Sequence, residues 1–148
     1  MKVFLSVPMK NRTKENIEKS LEKMRQYARI AFGNDVEFIN TVVQDKPPYT
    51  NCNEAVWYLG QSISLMSQAD MFVCVDTPYW LESKGCEVEK RTFFSYLANE
   101  IPSNFIELPI RLVMDREEYE YLCKKNLEEQ RPVRDCIPSV GTACESKS

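Results

Sequence analysis

The sequence predicts an α/β domain of three layers, a mainly parallel sheet of four to five strands between helices. Three observations carry this. Short apolar runs rich in Val, Ile and Phe alternate with longer segments of helical period. Capping and breaking residues stand at the boundaries between them. The 148 residues fit one domain, large enough to bury a core without metal or disulfide.

Lys2 to Val7 is an apolar run ended by Pro8 and reads as the first strand. Thr13 stands in N-cap position before a helical pattern in which Ile17, Leu21, Met24, Ala28 and Ala31 form one face. Glu15 suits the positive end of the helix dipole. Gly33 ends the helix, where a left-handed C-cap costs glycine nothing. Val36 to Val43 reads as the second strand, and Pro47-Pro48 keeps the next segment irregular. Asn53 caps a second helix to about Gln68, with Val56, Leu59, Ile63 and Met66 on its buried face. Met71 to Asp76 is a buried third strand. A third helix follows from about Gly85 to Asn99. Ser103 to Val113 holds one or two short strands, and Asp115 caps a fourth helix to about Leu127. The domain therefore spans residues 1–127. Residues 128–148, rich in Pro, Ser and charge, are expected to form a flexible tail. Right-handed crossovers make a Rossmann-like or flavodoxin-like topology the natural outcome.

Composition removes several classes of function. A net charge of −3 gives no reason to expect a nucleic-acid surface. The absence of His removes the commonest general base and zinc ligand, so chemistry falls to carboxylates, Cys, Lys or Tyr. The six cysteines form no C-x-x-C pair, which argues against a metal site and for free thiols in a reducing cytoplasm. No signal peptide or membrane span is read in the chain.

In open α/β sheets ligands bind beyond the carboxyl ends of the strands. Asp76, Ser83 and Glu89 are therefore expected around one crevice. Glu89 falls in the first or second turn of the third helix, where the helix N-terminus is expected to keep its carboxylate ionised, as a nucleophile requires. The dipole alone also recruits acidic residues to such turns. Asp76 suits a sugar hydroxyl or acid–base work, or simply caps its own turn. Ser83 and Gly85 suit a phosphate at the helix start, or an ordinary N-cap. Glu87 repels a phosphate there if it points inward. Lys10, with Asn11 and Arg12, offers charge on the same side of the sheet, or is merely solvated. Tyr79, Trp80 and Trp57 either stack on a base or cover the core.

The segments Phe4-Leu5-Ser6-Val7-Pro8-Met9, Trp57-Tyr58-Leu59-Gly60, Ala69-Asp70, Trp80 and Ser83 to Glu89 resemble the nucleoside 2-deoxyribosyltransferase-like superfamily, over roughly residues 1–100. The resemblance is closest to its small bacterial and phage members, and the superfamily includes deoxynucleoside 5′-monophosphate N-glycosidases. It implies a Rossmann-like domain that cleaves or transfers the N-glycosidic bond of a deoxynucleoside or its 5′-monophosphate, without a cofactor. It implies that Glu89 is the nucleophile, that Asp76 helps at the sugar, and that Ser83 and the Gly85 turn hold the 5′ group. Phe4, Ser6, Pro8, Met9, Lys10 and Trp80 complete the expected substrate site. It also implies a homo-oligomer. The sequence departs from the pattern at Glu87, where hydrolase members carry Gly, and at Phe4, where many carry Tyr. Both departures favour the alternative, a non-catalytic module that binds a nucleotide or nucleotide-derived signal.

Overall fold

The computed structural model describes residues 1–41, 45–81, 83–101 and 103–129. The part of the expected tail at 130–148 lies outside them. The chain forms two compact units, Met1–Met114 and Asp115–Ser148. The first contains a parallel sheet of β1 (Lys2–Leu5), β2 (Glu37–Phe38), β3 (Met71–Asp76) and β4 (Phe105–Pro109), in the order β2-β1-β3-β4. Helices α1 (Lys14–Phe32), α2 (Glu54–Met66) and α3 (Lys84–Tyr96) make the crossovers. In the second unit the described residues form a helix over 116–129, which therefore takes in the first two residues of the expected tail. The three-layer α/β architecture is as the sequence predicts.

Alternation along the strands builds the layers. Val3, Leu5 and Val7 of β1 and its extension, Met71 and Val73 of β3, and Leu108 of β4 pack with Leu21, Met24 and Ala28 of α1. Phe4, Phe72 and Cys74 face the other way and pack with Met66 of α2 and Phe93 of α3. Phe72 is the hub of the second layer, 4.9 Å from Phe93 and 5.7 Å from Phe4 between ring centroids.

The caps act as read. The Thr13 side chain accepts the Asn16 N–H, and the Asn53 side chain accepts that of Val56. Gly33 closes α1 at φ 108°, ψ 159°, so its positive φ is used but in an extended and not a helical left-handed conformation. Ala31 is exposed, because α1 turns it past the edge of the buried face; Ser20 is buried instead. Val56 is also exposed, at 65%, one turn too early on α2 to reach the sheet. α2 and α3 stop at Met66 and Tyr96, short of the expected Gln68 and Asn99. The second strand is only two residues long, not Val36 to Val43. Its pairing runs Lys2↔Glu37 and Val3↔Phe38, with further bonds from the Glu37 N–H to the Met1 carbonyl and from the Ile39 N–H to the Val3 carbonyl. Beyond β4 the chain turns into a 3-10 helix, Ile110–Leu112, and not a further strand.

Candidate functional site

The strand order reverses between β1 and β3, and their carboxyl ends define the crevice that such sheets use. β1 hands over to Ser6, whose N–H still bonds the Val73 carbonyl. Ser6 follows Phe4 by two, so it points toward the α2–α3 layer. There its hydroxyl donates to Glu89 Oε1 at 2.7 Å. The Ser62 hydroxyl of α2 donates to Oε2 at 2.5 Å. Three separate elements thus converge on one carboxyl group. Burial pushes Glu89 up from the ordinary carboxylate range, and the hydroxyls of Ser62 and Ser6 pull it back toward ionisation. The expectation of a low, dipole-stabilised carboxylate is corrected: Glu89 is the sixth residue of α3, past the reach of the helix N-terminus, and desolvation dominates.

Glu89 forms part of the wall of a chamber of about 640 Å³. Leu5, Val7, Ile17, Leu21 and Leu59 supply apolar surface, and Tyr58, Ser62, Ser83 and Glu18 supply polar groups. Residues of both helical layers meet in it, because β2 covers the β1 edge only as far as Val3. The size falls within the roughly 300–1,000 Å³ of small-molecule sites, and an apolar wall with a few converging polar groups is their usual character.

Asp76 is not in this chamber. It lies with Thr77, Glu87, Lys90 and Glu107 around a smaller recess of about 80 Å³. Ser83 and Cys86 line both cavities, and Ser6 lines the recess while bonding Glu89. The single crevice expected for Asp76, Ser83 and Glu89 is therefore two adjoining cavities with Ser83 between them. The cause is helical geometry: Glu87 and Glu89, two residues apart, project to nearly opposite sides of α3, and Cys86 lies between them and reaches both cavities.

The remaining expected residues divide. Met9 and Gly85 line the chamber, and Pro8 lines the recess. Ser83 is the N-cap of α3, its oxygen accepting the Cys86 N–H at 3.0 Å. Gly85 lies inside α3 without a positive φ, and a Cβ added there meets only Leu59 Cδ1 at 3.9 Å, an ordinary contact. Phe4 is a correction: it is 1% exposed and stacked in the aromatic layer, because its parity on β1 turns it into the core. Lys10 is exposed and Trp80 half-buried, and neither lines either cavity. Arg12 is structural; its guanidinium donates to the Pro8 and Asn16 carbonyls and to Ser20 Oγ.

Glu18, Tyr58 and Ser62 were not anticipated from sequence. The signal for Ser62 was present: it follows Leu59 by three and precedes Met66 by four, a hydroxyl set in an apolar helical stripe. Among the described residues no cluster of acidic, Cys or His groups is arranged to hold a metal, and no helix is long and apolar enough to cross a membrane. Cys52, Cys74, Cys86 and Cys123 are not paired in disulfides; burial pushes Cys74 up to about 12, which leaves it inert as a nucleophile at neutral pH. Comparison with family models, with curated proteins and with solved structures gave no match.

Proposed function

We propose that this chain cleaves or transfers the N-glycosidic bond of a deoxynucleoside or its 5′-monophosphate, with Glu89 as nucleophile. The observation that carries the reading is the Glu89 carboxyl on the wall of an apolar chamber at the carboxyl end of β1, held at both oxygens by Ser6 and Ser62. Those two donors fix its orientation and favour the ionised form against burial. A carboxylate so placed attacks the anomeric carbon as the carbon–nitrogen bond breaks. The bonding pair leaves with the base, which takes a proton from solvent. Water, or a second base, then attacks the same carbon and releases Glu89. The apolar wall stabilises a planar base and keeps bulk water from the ester intermediate. Asp76, in the adjoining recess, serves the sugar and not the nucleophile. The reaction calls for no cofactor, and the reading carries with it a homo-oligomer in the cytoplasm.

A second reading is favoured by the separation of Asp76 from Glu89: a module that binds a nucleotide or nucleotide-derived signal without turnover. Chromatography of deoxynucleosides and their 5′-monophosphates incubated with the protein distinguishes the two. Free base is expected from the wild type, and Glu89→Ala is expected to lower its release by about 10³-fold or more. Binding without release by the wild type would reject catalysis and leave the module.

A further inference from the structure

Resting on the N-glycosidic reading, we propose that the site takes an uncharged nucleoside and turns away its 5′-phosphorylated form, with the base in the chamber and the hydroxyl end of the sugar in the recess. Glu89 stands at the junction of the two cavities, because Ser6 bonds it and lines the recess, while Ser83 and Cys86 line both. A sugar whose anomeric carbon lies at Glu89 therefore has one cavity on each side. The apolar chamber suits a flat heterocycle. The recess, about 80 Å³, suits something small and hydrogen-bonding.

The charge of the recess selects between a hydroxyl and a phosphate. Asp76, Glu87 and Glu107 bring three carboxylates to its wall, against one ammonium, Lys90. That ammonium already bonds Glu107 at 2.7 Å. A hydroxyl donates a hydrogen bond to a carboxylate. A phosphate near neutral pH carries roughly −1.5 to −2 charge and offers mainly acceptors, so it meets these groups as like charges. Arg91 pairs with Glu87 at 2.7 Å from the exposed side of α3 and lines neither cavity. The other cations near the crevice are placed elsewhere. Arg12 is spent on the loop after β1, Lys10 faces solvent, and Lys14 lines the chamber and not the recess. The start of α3 does not compensate, since the Cys86 N–H is taken by Ser83 and Glu87 opposes an anion there.

The test is calorimetric titration of the wild type, Asp76→Asn and Glu87→Gln with 2′-deoxyadenosine, thymidine and the 5′-monophosphate of each, at low salt, with base release measured alongside. The wild type is expected to bind a nucleoside at least about tenfold more tightly than its monophosphate. Each substitution is expected to narrow that ratio severalfold, through tighter binding of the monophosphate. Equal or tighter binding of the monophosphates by the wild type overturns the proposal, as does a ratio that neither substitution moves. Base release with monophosphates preferred would keep the glycosidic reading and overturn this one. Nucleoside-selective binding without release would do the reverse. No binding of any of the four would overturn both.

Discussion

Glu89 gathers the physical conflict of the site into one side chain. Removing a carboxylate from water favours its protonated form, and two hydroxyl donors oppose that shift without cancelling it. A carboxyl whose folded value is raised binds more protons in the native state than in the unfolded state over the interval between the two values. Stability therefore falls as pH rises from the ordinary glutamate range through the raised value. Glu89→Gln removes the titration while keeping the shape and a hydrogen-bonding head. Its melting temperature, relative to the wild type, is expected to rise between pH 4 and pH 8, and calorimetric melts of both proteins across that range measure it. A constant difference across the range would show that Glu89 is not desolvated as the geometry indicates. The small residues around it are as informative. Ser6 is buried at the end of a strand where the pattern of β1 calls for another apolar side chain, and its hydroxyl is used on the carboxyl.

The helices show where local chemistry suffices and where it does not. α1 begins and ends where its capping residues stand, since Thr13 satisfies an otherwise orphaned N–H and Gly33 takes a positive φ. α3 ends earlier than its hydrophobic pattern suggests because Leu97 and Ala98 already bond back to the Phe93 carbonyl. Asn104 then fastens the connection: its amide donates to the Asp70 and Leu97 carbonyls and its oxygen accepts the Asn99 N–H. That buried side chain has its partners, as a polar group in a core must. Within α2, Gly60 is exposed and a Cβ added there meets nothing within 4 Å. Gly60→Ala is expected to stabilise the fold by about 0.5–1 kcal/mol, because alanine costs less backbone entropy in a helix. Urea unfolding of the variant checks it, and a loss of stability would mean that this stretch of α2 meets a partner.

The core of the unit Met1–Met114 has two halves of different kind, one aliphatic beneath α1 and one aromatic beneath α2 and α3. Phe72 joins the central strand to the aromatic half, with Phe4, Phe93 and Phe105 all within 6.0 Å between centroids. Phe72→Ala is expected to cost about 3–5 kcal/mol in chemical denaturation, the range for emptying a fully buried aromatic site. Phe94→Ala, at a side chain 42% exposed, is the matched control, expected to cost less than half as much. Similar losses for the two would show that the aromatic half is not organised around the central strand.

How much of this could be read from the chain depends on whether the determinant is local. The alternation of strands and helices, the Thr13, Asn53 and Ser83 caps and the buried run Met71 to Cys74 follow from side-chain periodicity and from backbone groups a few residues away. The same short-range chemistry placed Asp76 at a strand end, Ser83 at the start of a helix and Glu89 within its first two turns. It did not place Phe4, whose fate depends on which face of β1 the aromatic layer occupies. Nor did it reveal the short β2, since an edge strand ends where its partner and the surrounding chain stop supporting it. The division of one expected crevice into an apolar chamber and an acidic recess depends on how α3 is rotated over the sheet, which sends Glu89 and Glu87 to opposite sides. The partnership of Glu89 with Ser6 and Ser62 spans sequence separations of 83 and 27 residues. Burial, and with it the raised protonation of Glu89, arises only when those three elements exclude water together, so no local pattern in the chain encodes it.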